Sequence, residues 1–301
     1  MVRQLNNTNS GFTLVRNHVY VSNDLSENYD GSVDIKKWQT DYKKGRPTPI
    51  EYHFPSSVAG KSHSPWHPFF INRYISFSRF YVELMEQKFF FLSPCLWKDP
   101  YENVFYNKGL QINGKLVDVR CICTTYDRVD SEESSWVRGA NEDGKIIRVS
   151  YKYQELCDFL NRIGTKNHCD FYISIVDYSQ SKDSLIKKNK TSYSDINDYV
   201  KVLSLKRKAY SYENELRIIA VFEEPYASSL EKAHPFKLNK NDFVKMIASI
   251  CLPPLKPFLR DDNRYKYYQK LQEIENIGMK KELANLLPGV DITQSRLYIY
   301  K

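Results

Sequence analysis

The sequence predicts an α+β fold, a single domain built around a mixed, mostly antiparallel sheet spanning residues 69–301, behind a loosely built N-terminal extension of residues 1–68. Two observations carry that expectation. Short apolar runs bounded by turn residues outnumber stretches with helical spacing, and the two kinds do not alternate as the repeating strand–helix pairs of a parallel sheet would require. The chain is also globular in composition, 42% hydrophobic and 27% charged over 301 residues, which is enough for one large core or two modest ones.

Residues 1–68 are rich in Asn and Ser, with a turn cluster, KKGRPTP, at Lys43–Pro49; partial alternation over Phe12–Val21 predicts a short hairpin. His63 and His67 have a spacing that could grip a metal on a helix, but Pro65 and Pro68 oppose a helix there, so they read as surface histidines. PFFINRYIS, from Pro68, is strand-like. Phe77, Phe80, Tyr81, Leu84 and Met85 then follow at helical spacing, with Ser76 or Ser78 as the cap. FFFLSP reads as a buried strand stopped by proline, and WKDPYE as a loop ordered by Asp99. Asn113-Gly114 predicts a hairpin turn, and strands follow at Val117–Thr125 and at KIIRVSY from Lys145. Further on come a helix at about Tyr153–Ile163, a strand from Phe171, a mixed segment at Asp195–Leu205 and an apolar strand in FVKMIASICLPP. A charged helix at Asp261–Leu287, broken near Gly278, and a last strand, RLYIY, close the order.

No apolar run approaches the roughly eighteen residues of a membrane span, and the first residues lack a secretory leader's apolar core, which together predict a cytoplasmic protein. The six cysteines sit mostly among apolar neighbours, and the Cys121-x-Cys123 spacing is one short of a zinc knuckle, so no metal site is expected. A net charge of +8 raises nucleic acid as a partner, but the basic runs are short. The Tyr and Lys/Arg interleaving at Arg264–Lys270 could stack on bases; a helix with packed aromatics and solvated charges is the commoner arrangement.

The stretch with the most chemistry is Lys206–Phe222, in which two acids one residue apart feed an apolar strand. In extended chain Glu213, Glu215 and Arg217 share one face, while Leu216, Ile218, Ala220 and Phe222 take the other. Two carboxylates so close repel, and Arg217 draws one toward the charged form, as acid/base and sugar-binding sites require. The plainer account is a solvated strand end with an ordinary ion pair.

The order of Phe69–Tyr74, FFFLSPCLWKDPYE, CICTTYDRVDSEESSWVRGANEDGKIIRVSY, KRKAYSYENELRII and SICLPPL resembles the bacterial domain of unknown function 2971 family over about Phe69–Tyr300. Asp-Pro-Tyr-Glu at 99–102 and Tyr-Glu-x-Glu-x-Arg at 212–217 are its most specific pieces. Where that family has Trp-x-His-Tyr, this chain has Trp136, Val137, Arg138 and Gly139. The resemblance implies no activity.

A more distant likeness is to the layout of ADP-ribosyltransferases: an early strand with Arg73 and Tyr74, a helix, a strand, and a late strand with Glu-x-Glu. That likeness implies NAD as the small-molecule substrate. Arg73 would hold its phosphate or ribose, Ser93 or Trp136 would line the nicotinamide pocket, and Glu215 would support transfer with Glu213 two residues before it. Tyr74 or Trp136 could stack on nicotinamide, and Arg138 or Arg217 could meet an anion. It further implies a toxin or antiphage transferase or glycohydrolase with a protein or nucleic-acid acceptor. Against this stand structural roles: Arg73 paired with Asp99 or Glu102, and Tyr74 and Trp136 as packing. A nucleic-acid-binding module and a scaffold for an operon-encoded protein partner are the non-enzymatic alternatives.

Overall fold

The computed structural model describes residues 12–22, 70–97, 111–112, 115–125, 136, 145–180, 192–193, 195–213, 215–222, 233–255 and 263–295. In chain order the elements are β1 (Phe12–Arg16), β2 (Val19–Ser22), β3 (Phe70–Ser76), α1 (Phe77–Glu86), β4 (Lys88–Leu92), β5 (Gln111–Ile112), β6 (Lys115–Leu116) and β7 (Asp118–Thr125). Next come β8 (Ile146–Lys152), α2 (Tyr153–Asn167), β9 (Cys169–Ile175), β10 (Asp177–Gln180), β11 (Ser192–Tyr193), α3 (Ile196–Leu203) and β12 (Leu205–Arg207). A 3-10 turn at Lys208–Glu213 leads into β13 (Glu215–Phe222), followed by β14 (Ala233–Lys237), α4 (Lys240–Met246), β15 (Ile247–Leu252), α5 (Asn263–Leu286) and β16 (Asp291–Gln294). The fold is α+β, with mixed, mostly antiparallel open-sheet pairing and five helices among the described residues.

The chain divides into two compact units. Met1–Phe69, Phe90–Thr125 and Cys157–His234 form the first; Phe70–Phe89, Tyr126–Leu156 and Pro235–Lys301 form the second. The first unit has the strand order β1-β2-β9-β13-β7, antiparallel except for β2 against β9. β13 lies between β7 and β9 with all eight residues buried, because α3 lays Tyr199, Val200 and Leu203 on the Val119, Cys121, Ile219 and Val221 side. A strand covered on both faces reads as a continuous apolar run, as Leu216–Phe222 nearly does. The hairpin expected at Phe12–Val21 forms as β1 and β2, and the Phe171 N–H donates to the His18 carbonyl where β2 meets β9. The expected hairpin pairing forms as β5 against β6, Gln111 opposite Leu116 and Ile112 opposite Lys115, while Asn113 and Gly114 themselves lie outside the described residues.

The second unit has the order β3-β8-β15-β16, with only β15 and β16 parallel. α1 starts at Ser76, whose hydroxyl accepts from the Arg79 N–H. It stops at Gln87, which takes a left-handed conformation and donates its N–H to the last carbonyls. α4 carries a reciprocal capping box between Asn239 and Asp242. Its Phe243 meets Phe80 of α1 edge to face, 6.4 Å between ring centroids.

Three expectations need correction. The strand read into FVKMIASICLPP begins only at Ile247, since the Asn239 cap starts a helix that takes up Phe243–Met246. α5 runs unbroken through Gly278, because one glycine costs a helix only about 1 kcal/mol and packed neighbours outweigh it. Two of its tyrosines are not packed into the core: Tyr267 is 68% and Tyr268 53% exposed, and the two rings meet each other. RLYIY, His63 and His67 lie outside the described residues.

Candidate functional site

Glu213 and Glu215 do come together, by a route the extended-chain reading did not foresee. Glu213 closes the 3-10 turn and Glu215 opens β13, so they are not alternate residues of one strand. What unites them is Lys206 on β12, whose Nζ donates to Glu213 Oε2 at 2.6 Å and to Glu215 Oε2 at 2.9 Å. Arg217, two residues along β13 and therefore on the same face, donates from Nε to Glu215 Oε1 at 2.9 Å and from Nη1 to the Leu203 carbonyl. Trp97 lies flat against this guanidinium, 4.1 Å from its ring centroid. Two cations thus balance two carboxylates, all four buried, with Glu215 and Arg217 at 1% exposure. The solvated strand end is therefore not what forms. An unpaired charge at this depth would cost several kcal/mol, so each member holds the others in place.

Two further side chains complete the group. The Tyr178 hydroxyl accepts from the Glu215 N–H at 2.9 Å, and burial, then the nearby Glu215 carboxylate, raise its phenol above the usual range. Cys123 faces Arg217 across the β7–β13 ladder and points to the same side. Every other residue of β7 is buried, yet Cys123 is exposed. Its thiol is nonetheless surrounded densely enough that desolvation, followed by the Glu215 charge, pushes it well above an ordinary cysteine. Cys123 is thus an exposed group close to Glu215 on an otherwise buried strand. Following Lys206 in the chain are the half-buried Arg207, which donates to the Tyr210 hydroxyl at 2.9 Å and stacks on that ring, and the exposed Lys208.

Arg73, Tyr74 and Trp136 belong to the second unit. Arg73 is committed to Glu83 of α1 through two parallel bonds of 2.8 and 2.9 Å and lies 5.4 Å from the Phe89 ring centroid. Burial works against its charge, but Glu83 and Tyr151 more than offset this and hold the guanidinium proton more firmly than usual. Tyr74 meets Trp136 edge to face at 5.1 Å, and Ile146 and Cys251 pack with them. The Trp136 Nε1 has no acceptor among the described residues. Ser93 is in the first unit, where it caps a short turn by accepting from the Cys95 N–H. Arg138, Asp99 and Glu102 lie outside the described residues.

The chain matches no protein-family model, no curated protein and no solved structure. Its chemistry is therefore read from its own groups. None of the six cysteines forms a disulfide, and among the described residues no three His, Cys, Asp or Glu side chains gather as a metal ion would need. No helix among them is long and apolar enough to cross a membrane. Lys206, Cys123, Trp97 and Tyr178 were not singled out as site residues from sequence. The available signals were the KRK run just before the acid pair and the alternation that puts Cys121 and Cys123 on one face.

Proposed function

We propose that the surface at Cys123, beside Glu215, binds NAD and that the protein breaks the nicotinamide–ribose bond, as an ADP-ribosyltransferase or an NAD glycohydrolase. The observation that carries this reading is an accessible Cys123 next to two carboxylates fixed on one ammonium group. As the glycosidic bond breaks, its electron pair goes to the pyridinium nitrogen and positive charge develops on the ribose. A preorganised carboxylate such as Glu215 stabilises that charge without having to reorganise. Glu213 takes the proton from the attacking hydroxyl or water as the new bond to the anomeric carbon forms. With Arg73 tied to Glu83, the pyrophosphate falls to Arg207 and Lys208, the residues after Lys206, where a planar fork and a mobile ammonium suit phosphate oxygens. The mixed sheet with Glu215 at the start of a late strand is compatible with an ADP-ribosyltransferase-like layout, and effector activity as a toxin or antiphage protein belongs to the same reading.

The test is thermal shift with NAD, together with chromatographic assay of nicotinamide release. Wild type is expected to be stabilised by NAD and to release nicotinamide. Cys123→Trp, which covers the surface beside Glu215 but leaves the four charges intact, should lose both effects while keeping its own melting temperature within a few degrees. No shift and no nicotinamide at millimolar NAD would end the proposal. One observation favours a second, non-enzymatic reading as an interaction scaffold: the exposed apolar residues of α5.

A further inference from the structure

Arg207, Tyr210 and Glu213 recur every third residue from the end of β12 through the 3-10 turn at Lys208–Glu213. Side chains at i and i+3 of such a turn eclipse, which brings Tyr210 and Glu213 to one edge of it. Lys206 meets both. Its Nζ lies 5.1 Å from the Tyr210 ring centroid and donates to Glu213 Oε2 at 2.6 Å. On the other side of Tyr210, Arg207 stacks on the ring at 5.0 Å and donates from Nη2 to the hydroxyl at 2.9 Å. Tyr210 is half-buried, whereas Lys206 and Glu213 are buried.

We propose that Tyr210 is a displaceable cover over Lys206 and Glu213, and that a phosphate group releases it by taking Arg207 from the tyrosine hydroxyl. This rests on the reading that Arg207 and Lys208 receive a pyrophosphate, and it adds the regulation of that site. A phenol is a neutral acceptor. A phosphate offers charged oxygens to the planar fork of the guanidinium, and charge-assisted bonds are about twice as strong as neutral ones. The exposed Lys208, the next residue, supplies a second cation for the same anion. The exchange therefore runs toward phosphate, and Tyr210 loses its bond to Arg207 and its guanidinium stack together. Glu213 then becomes reachable when the substrate's own phosphate is seated. An acid uncovered in that order meets bound substrate rather than bulk water, as closing and opening elements over active sites achieve elsewhere.

Calorimetric titration of the full chain with inorganic pyrophosphate tests this, together with fluorine NMR of protein carrying 3-fluorotyrosine, in which the resonance missing from Tyr210→Phe marks Tyr210. Tyr210→Phe keeps the ring on Lys206 but removes the acceptor that competes for Arg207, so it should bind pyrophosphate about threefold or more tighter than wild type. Arg207→Gln should weaken binding about tenfold or more. The Tyr210 resonance should move to saturation as wild type is titrated, and should stay in place in Arg207→Gln at the same concentrations. Binding by Tyr210→Phe that is equal to or weaker than wild type overturns the proposal, because the hydroxyl then competes with nothing or is itself a ligand. So does a Tyr210 resonance unmoved at saturation, or a wild type that binds no pyrophosphate at millimolar concentration. Nicotinamide release from NAD is measured separately: if it persists while these titrations fail, the cover falls and the catalytic reading stands.

Discussion

Lys206 is the residue on which the first unit's polar group depends, because both carboxylates share its ammonium. Lys206→Met removes the ammonium that both buried acids share, and breaking a buried pair by removing one partner typically costs about 3–5 kcal/mol. Urea unfolding should show that loss as a lower midpoint with little change in slope. A second consequence at this scale concerns alkali. Burial, with Asp170 adding to it, pushes the Cys169 thiol from 9.0 up to about 12, and burial pushes the Tyr151 phenol from 10.0 up to about 12. Both groups release their protons more readily in the unfolded chain. Their contribution is therefore fully present below pH 9 and is lost as pH rises from 9 to 12. Melting temperature should fall across that window, and Cys169→Ala should make the fall shallower from its lower end.

Among the elements, α2 sets helix propensity against packing. Gly164 lies inside this helix, where alanine would ordinarily stabilise by about 1 kcal/mol. A Cβ there would stand 2.7 Å from the Cys169 carbonyl oxygen and 2.8 Å from His18 Cβ, and one of those obstacles is backbone. Overpacking of this kind costs about 1–3 kcal/mol, so Gly164→Ala should destabilise the protein, as chemical denaturation can check. The same contact explains why the β1–β2 hairpin is held. His18 reaches Asp170 at 2.9 Å through Nδ1, and its N–H donates to Asn161 of α2. Most elements were legible because their signals are local: the Ser76 cap, the Asn-Gly turn, and period two in β8. The start of β15 was not. Phe243–Met246 is as apolar as the strand after it, and only the cap at Asn239 tells the two apart.

On the scale of the whole molecule, each compact unit draws on three separate stretches of chain, and both α2 and β4 cross from one unit to the other. Neither unit exists as a continuous fragment. Residues 1–156 and 157–301 expressed separately should each lack cooperative unfolding, because β13 is then parted from β7, and β15 from β8. Circular dichroism melts of the two fragments would check this. The net charge of +8 is a property of the entire chain; the pairs around Glu215 and the Arg73–Glu83 pair sum to zero, so the whole excess is carried by other residues.

The sequence by itself determined the class of fold, most of the elements, and the shared side of Glu215 and Arg217 on one strand, since all of these follow from propensities and spacings over a few residues. Only the tertiary structure decided what Glu213 and Glu215 face. Lys206 reaches them because the 3-10 turn folds the chain back, and Trp97 and Cys123 arrive from other strands. Burial and charge pairing are sums over neighbours distant in sequence, and no local pattern encodes them. The same reason kept Arg73 ambiguous until Glu83, one helix away, was seen to hold it.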